Sequence, residues 1–236
     1  MERTRKAKKH GKTWLKLTLI FLITAVLLFV MAICSTLIGG ISVSLADIFK
    51  GIFIEYNRDV AIVVELRFPR IFVSILGGAA MAVAGVLLQA VMRNPLADPG
   101  IIGISSGSAF FAVLATALLP ALSFLAPVFS FLGGMLAFVI VSALSLKGGM
   151  SSTRLILVGL AVSTFFSALS TAFGQLTGGN SYAQSIVDGI IKSKTWDDVT
   201  VMAVFVAVGG ILCVFCVKRC NILALSDRLV GNIGIN

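Results

Sequence analysis

Few residues in this chain stand in patterns that could do chemistry. Cys213, Cys216 and Cys220 form a C-x-x-C-x-x-x-C arrangement of the kind that ligates soft metals, with a fourth thiol at Cys34. In a helix those offsets stack the thiols along one apolar stripe, and the single histidine, His10, lies in the N-terminal tail. The cysteines therefore read as small packing side chains in a reduced setting, with no metal. Gly11-Lys12-Thr13 has the ending of a phosphate loop, but Lys6 stands where the leading glycine belongs and no strand precedes it. There is no Ser/His/Asp or Cys/His set, no HExxH and no carboxylate pair inside an apolar run. No enzyme and no cofactor are expected. What remains is a pair of arginines, Arg67 and Arg70, whose guanidinium groups fit carboxylates bidentately or serve as plain interfacial anchors.

The elements that must position these residues follow from composition. Of 236 residues, 58% are hydrophobic and 12% charged, too few to give a soluble domain a polar surface. The charges also stay out of long stretches, which are of helix length rather than barrel-strand length. Six membrane spans are read near Leu17–Ile38, Ile71–Met92, Ile101–Leu119, Leu125–Leu146, Leu155–Leu176 and Val199–Val217. Pro120 and Pro127 break the run that holds the third and fourth. The expected fold is an all-α polytopic membrane helix bundle. It has a basic cytoplasmic tail over 1–16, a transmembrane domain over 17–217 and a cytoplasmic segment over 218–236.

Basic residues set the orientation. With the N-terminus inside, 13 of the 19 lysines and arginines fall on the cytoplasmic side. The net charge of +9 thus reflects sorting across a membrane, and the run MERTRKAKKHGK pins the tail to anionic lipid rather than to nucleic acid. The apolar run after it is too long for a signal-peptide core and reads as a retained helix in a cell membrane.

Outside the spans, Leu45, Ile48, Phe49, Ile52, Phe53 and Tyr56 recur at helical spacing behind a Ser44/Asp47 capping pair, which predicts an amphipathic helix on the outer surface. Thr195 and Asp198 repeat that cap before the sixth span, with Trp196 at interface depth. The second span is dense in small residues, Gly78 with Ala82 and Ala80 with Ala84 among them, and is expected inside the bundle; the third, with Gly103, Ser105, Ser106, Gly107 and Ser108, is similar. No span carries an ionisable residue in its middle, which disfavours coupling to an ion gradient through this chain.

Several motifs then carry a resemblance. LRFPR (Leu66–Arg70), the helix ending Leu88-Gln89-Ala90, RNPLADPGIIGISSGSAF (Arg93–Phe110), STRLILVGLAVS (Ser152–Ser163), TWDDV (Thr195–Val199) and NILALSDRLVGNIGI (Asn221–Ile235) together resemble the permease family of ABC importers for iron siderophores, haem and cobalamin, the FecCD transport family. The resemblance implies a permease subunit, with a ferric siderophore as cargo. Its implied partners are cytoplasmic ATP-binding subunits, an extracellular or periplasmic solute-binding protein and a second permease subunit in the lipid bilayer. Family members have ten membrane helices, so the chain is read as the first six of ten. A split gene or a non-transporting remnant is the alternative.

The resemblance also implies roles. Arg67 and Arg70 would dock acidic side chains of the solute-binding protein. Ser152 and Thr153 match a cytoplasmic gate position, against plain helix capping beside Arg154. Leu223, Leu225, Ser226, Asp227 and Gly234 fall in the segment that engages the ATPase cleft, against an interfacial tail. Ser226 and Asp227 stand where the family usually has Gly and then an acidic residue. Asn94, Pro95, Asp98, Pro99 and Gly100 read as a turn on the inner side.

Overall fold

The computed structural model describes residues 2–39, 43–55, 57–95, 97–146, 152–176, 191 and 194–223. Among the described residues the regular structure is all helical. The helices are α1 (Glu2–Leu37), α2 (Leu45–Phe53), α3 (Arg58–Leu66), α4 (Phe68–Met92), α5 (Ile104–Leu118), α6 (Ala126–Leu146), α7 (Ser152–Leu176) and α8 (Trp196–Leu223). Short 3-10 turns at Pro99–Ile102 and Pro120–Leu125 flank α5.

Among the described residues, five stretches are long and apolar enough to cross a membrane: Trp14–Leu37, Arg58–Met92, Ala126–Ser145, Thr153–Leu176 and Trp196–Val217. The third of the six expected spans differs. Its regular part is α5, only 15 residues, or about 22 Å at 1.5 Å per residue against a core of about 30 Å. Gly103, in left-handed backbone at φ 81°, separates the preceding turn from α5, and Pro120 closes it. A Cβ on Gly103 would also lie 3.1 Å from the Gly159 carbonyl of α7, so both conformation and space call for glycine.

Two compact units divide the chain. One comprises 1–72 with 194–196. Its core holds Val43, Ile48, Val60 and Val63, with Leu37, Val64 and Phe68 packed against them. α2 starts where expected, because Ser44 and Asp47 form both halves of a capping box. Tyr56, grouped with that helix on sequence, lies outside the described residues. Helix α3 is an addition to the sequence reading; its cap is Asn57, whose Oδ1 accepts from the Asp59 N–H at 3.0 Å.

The other unit comprises 73–193 and 197–236. Its core gathers Ile102, Ala137, Val141, Val162 and Phe166 from the 99–102 turn, α6 and α7, with Ile104, Phe110 and Phe111 of α5 against them. Helices α5 and α6 meet backbone to backbone: a Cβ on Gly107 would come within 2.8 Å of the Gly133 carbonyl, and one on Gly134 within 2.5 Å of Ser108 Oγ. Close approach was expected of both α4 and the third span; on α4 a Cβ on Gly77 would lie 3.1 Å from Met202 while one on Gly78 would meet nothing within 4 Å. The small residues that decide packing here are on α5 and α6.

Candidate functional site

The residues singled out by sequence fall into separate places. Arg67 and Arg70 sit at the junction of α3 and α4: Arg67 is the C-cap of α3 and Arg70 lies in the first turn of α4, and both are half-buried. Arg67 Nη1 donates to the Thr36 carbonyl at 2.6 Å, in the last turn of α1. The carbonyls of a helix's final turn lack intrahelical donors and carry partial negative charge, so a guanidinium there satisfies both needs. The Arg67 head also fills the space beside Gly39.

At the other end of α4 the expected turn forms, and its geometry is specific. The Asn94 N–H bonds to the Gln89 carbonyl at 3.2 Å and the Arg93 N–H to the Ala90 carbonyl at 3.4 Å, with Arg93 at φ 50°. That pair of bonds around a left-handed residue is a Schellman cap, with arginine in the place glycine usually holds. Asp98 Oδ1 then accepts from the Gly100 N–H at 2.7 Å, capping the 3-10 turn. The returning loop and α4 enclose a groove of about 440 Å³ lined by Met81, Ala82, Gly85 and Gln89 on the helix and Pro95, Ala97, Asp98 and Pro99 on the loop. Gln89 Nε2 reaches the Ala97 carbonyl at 3.4 Å across it. Sequence pointed to the turn but not to the groove; the stripe Met81, Gly85, Gln89 at four-residue spacing ahead of a Pro-rich loop was the available signal.

Ser152 and Thr153 are the first two residues of α7, and Thr153 is exposed. Leu223 is the last residue of α8. Leu225, Ser226, Asp227 and Gly234 lie outside the described residues. Helix α8 begins at Trp196 with Asp197 and Asp198 in its first turn, where carboxylates suit the helix dipole. Among the described residues, Cys34, Cys213, Cys216 and Cys220 are free thiols and no group of three or more His, Cys, Asp or Glu could hold a metal.

Long apolar helices, joined by the turn after α4 and an arginine-bearing junction between α3 and α4, make this a polytopic helical membrane protein. The chain belongs to the FecCD transport family, whose model matches residues 23–236. It is 36% identical over 221 residues to a probable heme-iron transport system permease protein, IsdF, of Staphylococcus aureus strain NCTC 8325 / PS 47, an alignment covering 94% of this chain and 67% of that protein. The IsdF of strain MSSA476 is 35% identical over the same length. Among solved structures, an inward-facing metal-chelate type ABC transporter matches with a TM-score of 0.69 and 27% identity, covering 92% of this chain and 68% of that one.

Proposed function

We propose that this chain forms part of the membrane path of an ATP-driven importer of an iron chelate, with haem as the cargo. The observation that carries this reading is the absence of any ionisable side chain from the middle of the apolar spans of a FecCD-family chain. Transporters that draw on an ion gradient commonly place ionisable groups at membrane depth. Without them the energy comes from outside the chain, from cytoplasmic ATP-binding subunits.

The resemblance taken alone favoured a ferric siderophore. The haem-iron permeases at 35–36% identity support haem instead. A solute-binding protein on the outer side delivers the chelate, and a second permease subunit completes the path. The N-terminus is cytoplasmic, and the transmembrane domain runs over 17–217 with the cytoplasmic segment at 218–236. In this reading Arg67 and Arg70 receive carboxylates of the binding protein, Ser152 and Thr153 stand at the cytoplasmic gate, and Leu223, Leu225, Ser226, Asp227 and Gly234 engage the ATPase.

The test is uptake by vesicles holding the chain with its ATP-binding and permease partners and supplied with binding protein. Radioiron should enter as haem faster than as ferric siderophore, need ATP on the cytoplasmic side, and persist when a protonophore abolishes the pH gradient. Uptake that survives without ATP and stops with the protonophore overturns the proposal.

A further inference from the structure

Helix α2 has three distinct sides. Ile48 and Gly51 turn toward α3: Ile48 is 8% exposed and shares a core with Val60 and Val63, and a Cβ on Gly51 would meet the Val60 side chain at 2.8 Å. A second side carries Asp47 and Lys50, both exposed. The third is an apolar ridge of Leu45, Phe49, Ile52 and Phe53, with Phe53 73% exposed and the Phe49 and Phe53 rings 5.1 Å apart. A surface helix that met only water would not hold two phenylalanines and two aliphatic side chains on one open face.

The height of α2 follows from what it packs on. Ile48 shares its cluster with Leu37, the last residue of α1, and with Phe68, the first residue of α4. Those two residues mark where one long apolar helix ends and another begins, so α2 lies level with the boundary of the hydrocarbon. In the same unit Trp196 packs on Phe72, ring centroids 5.7 Å apart, and a tryptophan at a helix start is typical of that boundary. An apolar ridge opposite a Lys/Asp edge, held at that level, matches the lipid–water interface on both sides.

We propose that α2 is an interfacial membrane anchor, with Leu45, Phe49, Ile52 and Phe53 among the upper acyl segments and Asp47 and Lys50 in the headgroup layer. The leaflet is the one away from the basic tail, and only its naming as the outer leaflet rests on the orientation in the preceding section. The anchor fixes the height of the α3/α4 junction, and so of Arg67 and Arg70, relative to the bilayer.

The experiment places single tryptophans by Phe49→Trp, Phe53→Trp and, on the polar edge, Lys50→Trp in a Trp14→Phe, Trp196→Phe background of the full chain. Each is reconstituted in phosphatidylcholine vesicles brominated near the headgroup end of the acyl chain. Emission from positions 49 and 53 should shift to the blue and lose intensity with brominated lipid, while position 50 should respond mainly to aqueous iodide. Quenching of positions 49 and 53 by iodide alone overturns the proposal, and so does protection from both quenchers, which means that protein covers the ridge. Should the tryptophan variants fail to insert, the unmodified chain in vesicles with a photoactivatable acyl chain should carry lipid adducts within 45–53; adducts confined to other segments likewise overturn it. Neither readout involves transport, so failure of the anchor is separable from failure of the transport reading.

Discussion

Arg67 holds the end of a helix from which it is separated by 31 positions: its Nη1 donates to the Thr36 carbonyl at 2.6 Å and closes the final turn of α1. The arginine expected to meet a partner is thus already engaged within the chain. A guanidinium has five donors, so one bond to Thr36 leaves capacity for a carboxylate, but any loss at Arg67 acts on α1 as well.

Replacement of Arg67 by Ala should therefore loosen the last turn of α1, at a cost of about 1.5–3 kcal/mol for a charge-assisted bond. Amide exchange over 33–38 should accelerate in the variant. Unchanged exchange there means that the clasp contributes nothing.

For binding-protein docking, Arg70→Glu is the complementary test, because it leaves the Arg67–Thr36 bond in place. It should lower the affinity for the solute-binding protein by about thirtyfold or more, given about 2–5 kcal/mol for a broken interfacial charge pair, with membrane insertion unchanged. Equal affinity removes Arg70 from the docking surface.

Glycine substitutions should separate contact from composition. Gly133→Ala puts a methyl against the Gly107 carbonyl and the Phe111 side chain and should destabilise by about 1–3 kcal/mol. Gly78→Ala meets nothing within 4 Å and, lying inside α4, should stabilise by about 0.5–1 kcal/mol through helix propensity. Unfolding in mixed micelles compares the two, and equal effects reject the α5/α6 close approach.

Arg93 pays for a left-handed backbone that glycine adopts freely. Arg93→Gly should raise stability by about 1 kcal/mol in the same assay. A loss instead means that the arginine side chain contributes more to the fold than its strain costs.

At α2, the Ser44 hydroxyl and then the Ser44 N–H hold the Asp47 carboxyl below its ordinary value, with a smaller pull from Lys50. Since the folded value is the lower one, the cap's contribution is complete above the unfolded value of about 3.9 and fades as pH falls through the folded value. Carboxyl NMR should find the Asp47 midpoint below that of an unstructured aspartate, and Ser44→Ala should move it up. A midpoint at the ordinary value rejects the capping box.

What was legible in the sequence was local. The Ser44/Asp47 spacing identified α2 because both partners of a capping box lie within one turn, and the uncharged runs located the long helices because hydrophobic length is itself the signal. Helix α3 escaped because 60–68 reads continuously into α4, although Asn57 and Asp59 offered a cap. The Arg67–Thr36 bond was invisible, since nothing in either residue names the other. The third span was overextended for a related reason: apolar character continues from 101 to 119, but the left-handed Gly103 and Pro120 set the helix limits. The gate and coupling residues rested on motif resemblance and not on spacing, so local physics gave them no independent support.

The exposure of α1 bears on how the protein is made. Between Trp14 and Leu37 its most apolar window has no buried residue, as in the Arg58–Met92 and Trp196–Val217 spans, whereas the windows of α6 and α7 are 28% and 22% buried. A helix whose apolar window is left uncovered by the other described residues can partition into lipid on leaving the ribosome, without waiting to pack on them. α6 and α7, which rely on each other and on α5, must wait. Helix α1 is then one of the spans that can enter the membrane without the others, and a polar residue introduced near Leu27 should cost insertion itself rather than later assembly.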